Sequence, residues 1–187
     1  MTYYFEEKLP DTERFVIPIK NISIRELANM PGRGLDAIGY RVADELVEIL
    51  LGEAKVSEEQ KSPPSVVDAS SDSLYKTHSK HKNDLPLVIQ RLTDYSRRLN
   101  GKDVLILGFA IISLDKKIEN KCKITYGCTL VRDFSCVNEN ADFGKLKSNK
   151  NEFDDGKIHF SILSFSNNSI KETVNLFYQK IQEILAV

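Results

Sequence analysis

From Asp103 to Leu114 the chain is apolar at nearly every position, and two more runs with strand character come after it, separated by a turn and a polar loop. No other feature constrains the fold as much. Parallel neighbours need a crossover, usually helical, whereas antiparallel neighbours can be joined by a turn. The three runs therefore predict an antiparallel meander. Val104 to Leu114 has no polar face and reads as its central strand, covered on both sides. In the second run Cys122, Ile124, Tyr126, Cys128, Leu130, Phe134 and Cys136 alternate with Lys121, Lys123, Thr125, Thr129, Asp133 and Ser135, the period of a half-buried strand. In the third, Lys157 to Phe165, Ile158, Phe160 and Ile162 share a side and His159 falls opposite them.

Helices are expected around this sheet. Leu35, Ile38, Val42, Leu46, Ile49 and Leu50 recur at steps of mostly three and four, predicting an amphipathic helix closed by Gly52. Asp84 is a good N-cap for a second, with Pro86 in its first turn and a stripe of Leu85, Val88, Ile89, Leu92, Tyr95 and Leu99. Ser169 to Glu172 is a capping box that opens a third, with Ile170, Val174, Phe177, Ile181 and Leu185 on one face. Arg14 to Ile19 reads as a short strand, and Pro18 puts it at a sheet edge or bulge. Between the first two helices, residues 53–83 are dominated by Ser, Lys, Asp and Glu and contain Pro63-Pro64, so a disordered polar insertion is expected there. The expected fold is a single α+β domain over residues 1–187, an antiparallel sheet of meander plus N-terminal edge strand packed with three helices.

A chain of 187 residues suits one ordinary domain. Its 26 Lys and Arg against 27 Asp and Glu give a net charge of −1, so no global field draws it to nucleic acid or a membrane. The longest apolar run is about half of a bilayer-crossing helix, and no membrane partner is expected. Met1 to Glu7 lacks the basic start of a secretory signal and is acidic where a transit peptide would be Arg-rich, which points to cytoplasm or nucleus. Three cysteines confined to one stretch are not a disulfide framework.

Each group of chemically capable residues has a plainer reading. Gly32, Arg33 and Gly34, with Leu35, Asp36 and Ala37 after them, match a glycine-rich phosphate fingerprint before a helix, but no strand comes next to complete the βαβ unit. They remain a candidate anion-binding turn. Cys122, Cys128, Cys136 and His159 lack the paired spacing of a zinc knuckle, and the three cysteines read as core, so no metal or cofactor is expected. His78 and His81 fall in the polar insertion, and Glu6-Glu7, Glu58-Glu59 and Asp154-Asp155 read as solvated carboxylates. Arg91, Arg97, Arg98 and Lys102, with Lys76, Lys80 and Lys82 upstream, form a basic stretch interleaved with Asp84, Asp94 and Asp103. Tyr3, Tyr4 and Phe5 are an aromatic cluster outside any periodic element, suited either to an interface with another chain or to a lid folded back on its own domain.

With no diagnostic motif, the expected role is a noncatalytic protein-binding or assembly protein, a subunit or chaperone of a multiprotein complex with protein partners in a homo- or hetero-oligomer. One alternative is a small enzyme or phosphate-binding protein that uses the Gly32 to Gly34 turn. A nucleic-acid-associated factor is the second alternative.

Overall fold

At Asp44 the backbone takes a φ of 54°, a left-handed conformation that Asp tolerates better than most residues. There the apolar run that begins at Leu35 turns back on itself. In this computed structural model, which describes residues 1–19, 35–153, 157–165 and 169–185, strand β1 (Ala37–Ala43) and strand β2 (Leu46–Ser57) form an antiparallel hairpin, registered from Ala37 opposite Gly52 to Ala43 opposite Leu46. The predicted first helix is thus corrected to two strands. Ile49, Leu50 and Leu51 are all 0% exposed, so β2 is covered on both faces, and apolar residues on both faces of two strands imitate helical steps of three and four.

The antiparallel meander is also corrected. Strand β3 (Cys122–Asp133) runs parallel to β2, and β4 (Lys157–Phe165) parallel to β3, giving a mixed sheet in the order β1-β2-β3-β4. The crossover that parallel pairing requires lies between β2 and β3, in helices α1 (Ser65–Asp68), α2 (Leu74–Asn83), α3 (Leu85–Ser96) and α4 (Gly101–Asp115). The run expected to be the central strand is therefore α4. Its Leu107 and Ala110 are buried while Leu105, Phe109 and Ile112 are exposed, a helical periodicity hidden because both sides are apolar. Helix α5 (Lys145–Ser148) lies between β3 and β4, and α6 (Ile170–Leu185) closes the described chain. The Ser169 N–H and hydroxyl both donate to Glu172, and the Glu172 N–H donates back to Ser169, which is the capping box read from sequence.

Residues 53–83 depart from the expected disorder. They complete β2 and form α1 and α2, with Val67, Leu74 and His78 fully buried and Ser73 capping α2. The polar connection after β2 is pinned from inside. Arg132, 0% exposed, donates to the carbonyl oxygens of Glu59, Lys61 and Cys136 and pairs with buried Asp142 at 3.3 Å.

Both faces of the sheet are covered. Helices α1 to α4 pack over Ile38, Tyr40, Ile49, Leu51, Tyr126 and Leu130. The amino-terminal segment lays Phe5, Leu9, Phe15 and Ile17 on the opposite face, against Ala37 and Leu50. Phe5 approaches β3 so closely that a Cβ on Gly127 would stand 2.7 Å from its ring. Only glycine fits beneath it. Val16 forms an isolated antiparallel bridge to Tyr40, so the segment around Pro18 sits on the outer edge of β1.

Candidate functional site

Glu53 and Lys55 are two residues apart on β2 and therefore share a face. Because Ala37 pairs with Gly52, the residue before β1 falls beside them. That residue is Asp36, whose Oδ2 accepts the backbone N–H of Ala54 at 2.7 Å. Lys55 Nζ lies 2.9 Å from Glu53 Oε1 and 3.2 Å from Asp72 Oδ2. The site is therefore two carboxylates and an ammonium, built by one hairpin and overlaid by the α1–α4 layer. Asp72 belongs to the connection from α1 to α2, and its exposed side chain makes a weak, displaceable ion pair.

Two glutamates on β2 show what distinguishes this place. Glu48, on the other face, is desolvated, yet the Thr125 hydroxyl, Arg41 and Lys123 hold its carboxyl below the usual range. Glu53 is raised, by burial first and by the charge of Asp36 second, against the pull of Lys55 and Arg91. Glu48 is a neutralised structural group. Glu53 belongs to a pair of crowded carboxylates, a place where additional positive charge is favourable. Lys55 stays charged: despite desolvation, Glu53 and Asp72 raise it.

Helices α2 and α3 supply the surroundings. Arg91 of α3 interacts electrostatically with both Glu53 and His81. Burial depresses His78 to about 3 and His81 to about 4, with Arg91 and Lys80 reinforcing the latter. Both imidazoles are therefore neutral near physiological pH. Helix α2 also carries Lys76, Lys80 and Lys82 and no acidic residue.

The residues singled out from sequence fall elsewhere. Gly32, Arg33 and Gly34 lie outside the described residues, and the next regular element after them is β1 rather than a helix. Of the aromatic cluster, Phe5 is fully buried on its own sheet, Tyr4 is half-buried and Tyr3 is exposed. Cys128 and Cys136 are buried and Cys122 half-buried. Burial pushes the Cys122 thiol up to about 12 and Cys128 further still, so neither is a ready thiolate. A cavity of about 430 Å³ at the turn of the hairpin is lined by Arg41, Glu45, Glu48, Lys121 and Lys123. Those charges pair with one another, and the exposed Asp44 lines the same turn.

Sequence reasoning missed Asp36, Glu53 and Lys55. The available signal was the alternation Glu-Ala-Lys at the end of an apolar run, after an acidic residue that opens the preceding run. The position of Glu53 at a change in composition hid it.

Mixed parallel and antiparallel pairing, a helical layer over one face and a carboxylate pair with a lysine at the hairpin define an α+β protein with a charged cluster on its sheet. The model of the HamA family matches residues 2–181. The chain belongs to the HamA family. No curated protein and no solved structure matches it.

Proposed function

We propose that this protein is a divalent-cation-dependent phosphodiesterase that acts on nucleic acid. The observation that carries the reading is the convergence of Asp36, Glu53 and Lys55. Crowded carboxylates are the oxygen ligands that a hard cation takes, and Mg²⁺ typically binds through one or two carboxylates together with substrate phosphates and water. Among the described residues no three or more acids, histidines or cysteines converge to hold a metal, so the chain's own ligands to such a cation would be the two carboxylates alone. A cation so held would neutralise phosphate charge and acidify a bound water. Asp36 and Glu53 would orient it. Lys55, released from Asp72, would place its ammonium against the phosphate. Nucleic acid is favoured over a small phosphate ester because α2, one helix of the layer over this face of the sheet, carries three lysines and no acid, despite the net charge of the whole chain being −1.

The test is cleavage of labelled DNA and RNA with Mg²⁺ or Mn²⁺ by the protein and by Asp36→Asn, Glu53→Gln and Lys55→Met. Each variant should lose at least about a hundredfold in rate, since each removes charge that acts on the transition state. Equal cleavage by protein and variants would overturn the reading.

A second reading, association with a protein partner, has its own observation. Helix α4 is apolar almost all round, as a buried helix would be. Yet Leu105 is 73% exposed, with Phe109 and Ile112 beside it, and Gly108 in the same stripe faces open space. On α6, Phe177, Ile184 and Leu185 are likewise exposed. This reading complements a hydrolytic site, because the two surfaces involve different residues.

A further inference from the structure

Arg91 stands in the inward stripe of α3, at a position in register with Val88, Leu92 and Tyr95, all three of which are buried. The helix is fixed to the hairpin by the Tyr95 hydroxyl, which donates to the carbonyl oxygen of Ile38 at 2.9 Å. Ile38 is two residues from Asp36. One turn from Tyr95, Arg91 is held over the same hairpin, and its charge reaches both Glu53 and His81.

Its hydrogen bonding is unlike that of the neighbouring arginines. Arg14, Arg41, Arg97 and Arg132 are each in an ion pair within 4 Å of a carboxylate. Among the described residues Arg91 makes no such pair, and its Nε is buried with no hydrogen-bond partner. A buried guanidinium N–H without an acceptor is costly, and an anion that filled the place would relieve the cost. The guanidinium fork matches the two free oxygens of a phosphodiester. His81, neutral beside it, adds no competing charge.

We infer that Arg91 binds the substrate's phosphate next to the carboxylate pair, as the nucleic-acid-binding arm of the site; the inference rests on the phosphodiesterase reading for its substrate class. It assigns α3 a role beyond packing. The hairpin presents the charges that act on the scissile bond, and the crossover layer presents the cation that grips the backbone.

The experiment measures retention of a fluorescein-labelled DNA duplex in Ca²⁺ across a salt series, for the full chain and for Arg91→Met, Arg91→Lys and Glu53→Gln, with melting temperatures as a folding control. Arg91→Met should weaken binding about tenfold and lower the slope of log affinity against log salt by about one. Arg91→Lys should restore the slope and part of the affinity, and in Mg²⁺ Arg91→Met should raise KM more than it lowers kcat. Wild-type affinity and slope in folded Arg91→Met, or no retention by the wild type at low salt, would overturn the inference. Failure of the two readings is distinguishable. If the wild type does not cleave in Mg²⁺ yet binding depends on Arg91, hydrolysis fails and the Arg91 assignment stands; if Glu53→Gln abolishes cleavage while Arg91→Met binds normally, the reverse holds.

Discussion

The carboxylate of Asp36 accepts the backbone N–H of Ala54, the residue between Glu53 and Lys55, at 2.7 Å. One oxygen thus anchors the start of β1 to β2. Asp36→Asn retains a side-chain oxygen that can accept this bond and removes only the charge. The expected outcome is a melting temperature at or slightly above that of the wild type, because the repulsion of Glu53 is relieved, with loss of cleavage and of any thermal stabilisation by Mg²⁺. Asp36→Ala should additionally cost about 1 kcal/mol in urea unfolding for the lost hydrogen bond.

Glu53 gives a prediction with a definite sign. Its folded carboxyl is raised above the usual range by burial and Asp36, so the folded state holds the proton more tightly than the unfolded chain. The contribution is fully present at pH below the unfolded value and is lost as pH rises through the raised folded one. Glu53→Gln should therefore raise the melting temperature at neutral pH, by about 2–4 °C for each kcal/mol of relieved repulsion in a chain of this size. Its stability should also fall less between acid and neutral pH than that of the wild type.

His78 acts at the acid end. Its folded value of about 3 lies below the ordinary 6.5, so stability is fully present above the unfolded value and lost as pH falls toward the folded one. Going from about pH 7 to about pH 5 should cost on the order of 2 kcal/mol through this residue. His78→Leu should remove that part of the loss, measured by urea unfolding at the two pH values. Equal acid sensitivity in variant and wild type would refute it.

The Arg132–Asp142 pair should be structurally indispensable. Both side chains are 0% exposed, and Arg132→Met would leave Asp142 buried without its cation and three carbonyl oxygens without their donor. The expected loss is about 3–5 kcal/mol. Limited proteolysis should then cut between β2 and α1, where Glu59 and Lys61 are released.

On α4, Leu105→Ser with Phe109→Ser changes residues that the chain itself leaves exposed. The melting temperature should stay within about 2 °C, as surface changes usually cost little. If a protein partner covers this face, size-exclusion chromatography of native extract should show the variant shifted to its free size. Unaltered elution as a complex would remove the partner reading for α4.

Local chemistry made some elements legible in the sequence and not others. The capping box of Ser169 and Glu172 and the N-cap of Asp84 each act within one helical turn, so α6 and α3 could be read directly. The alternation from Cys122 likewise marked β3. The hairpin of β1 and β2 was hidden because its turn, Asp44-Glu45, carries no glycine, the usual signal of a two-residue loop. Helix α4 was hidden because its outward side is as apolar as its inward side. The candidate site was less legible still. Asp36 stands 18 positions before Ala54, the residue next to Glu53, and only the pairing of Ala37 with Gly52 brings the two carboxylates together. Nothing in the local sequence at either residue encodes that register.

The site's parts leave the ribosome in chain order, and the parallel pairing of β2 and β3 decides when they are brought together. Asp36, Glu53 and Lys55 lie in one hairpin of low contact order, which can pair as soon as it emerges. Arg91 comes later, on the crossover, and the strand that encloses the crossover against the sheet, β3, is synthesised later again. The nascent chain therefore holds its carboxylates and lysine together before it holds the arginine that grips a backbone. A chain truncated before β3 should hold the hairpin's carboxylates and lysine without Arg91 packed over them.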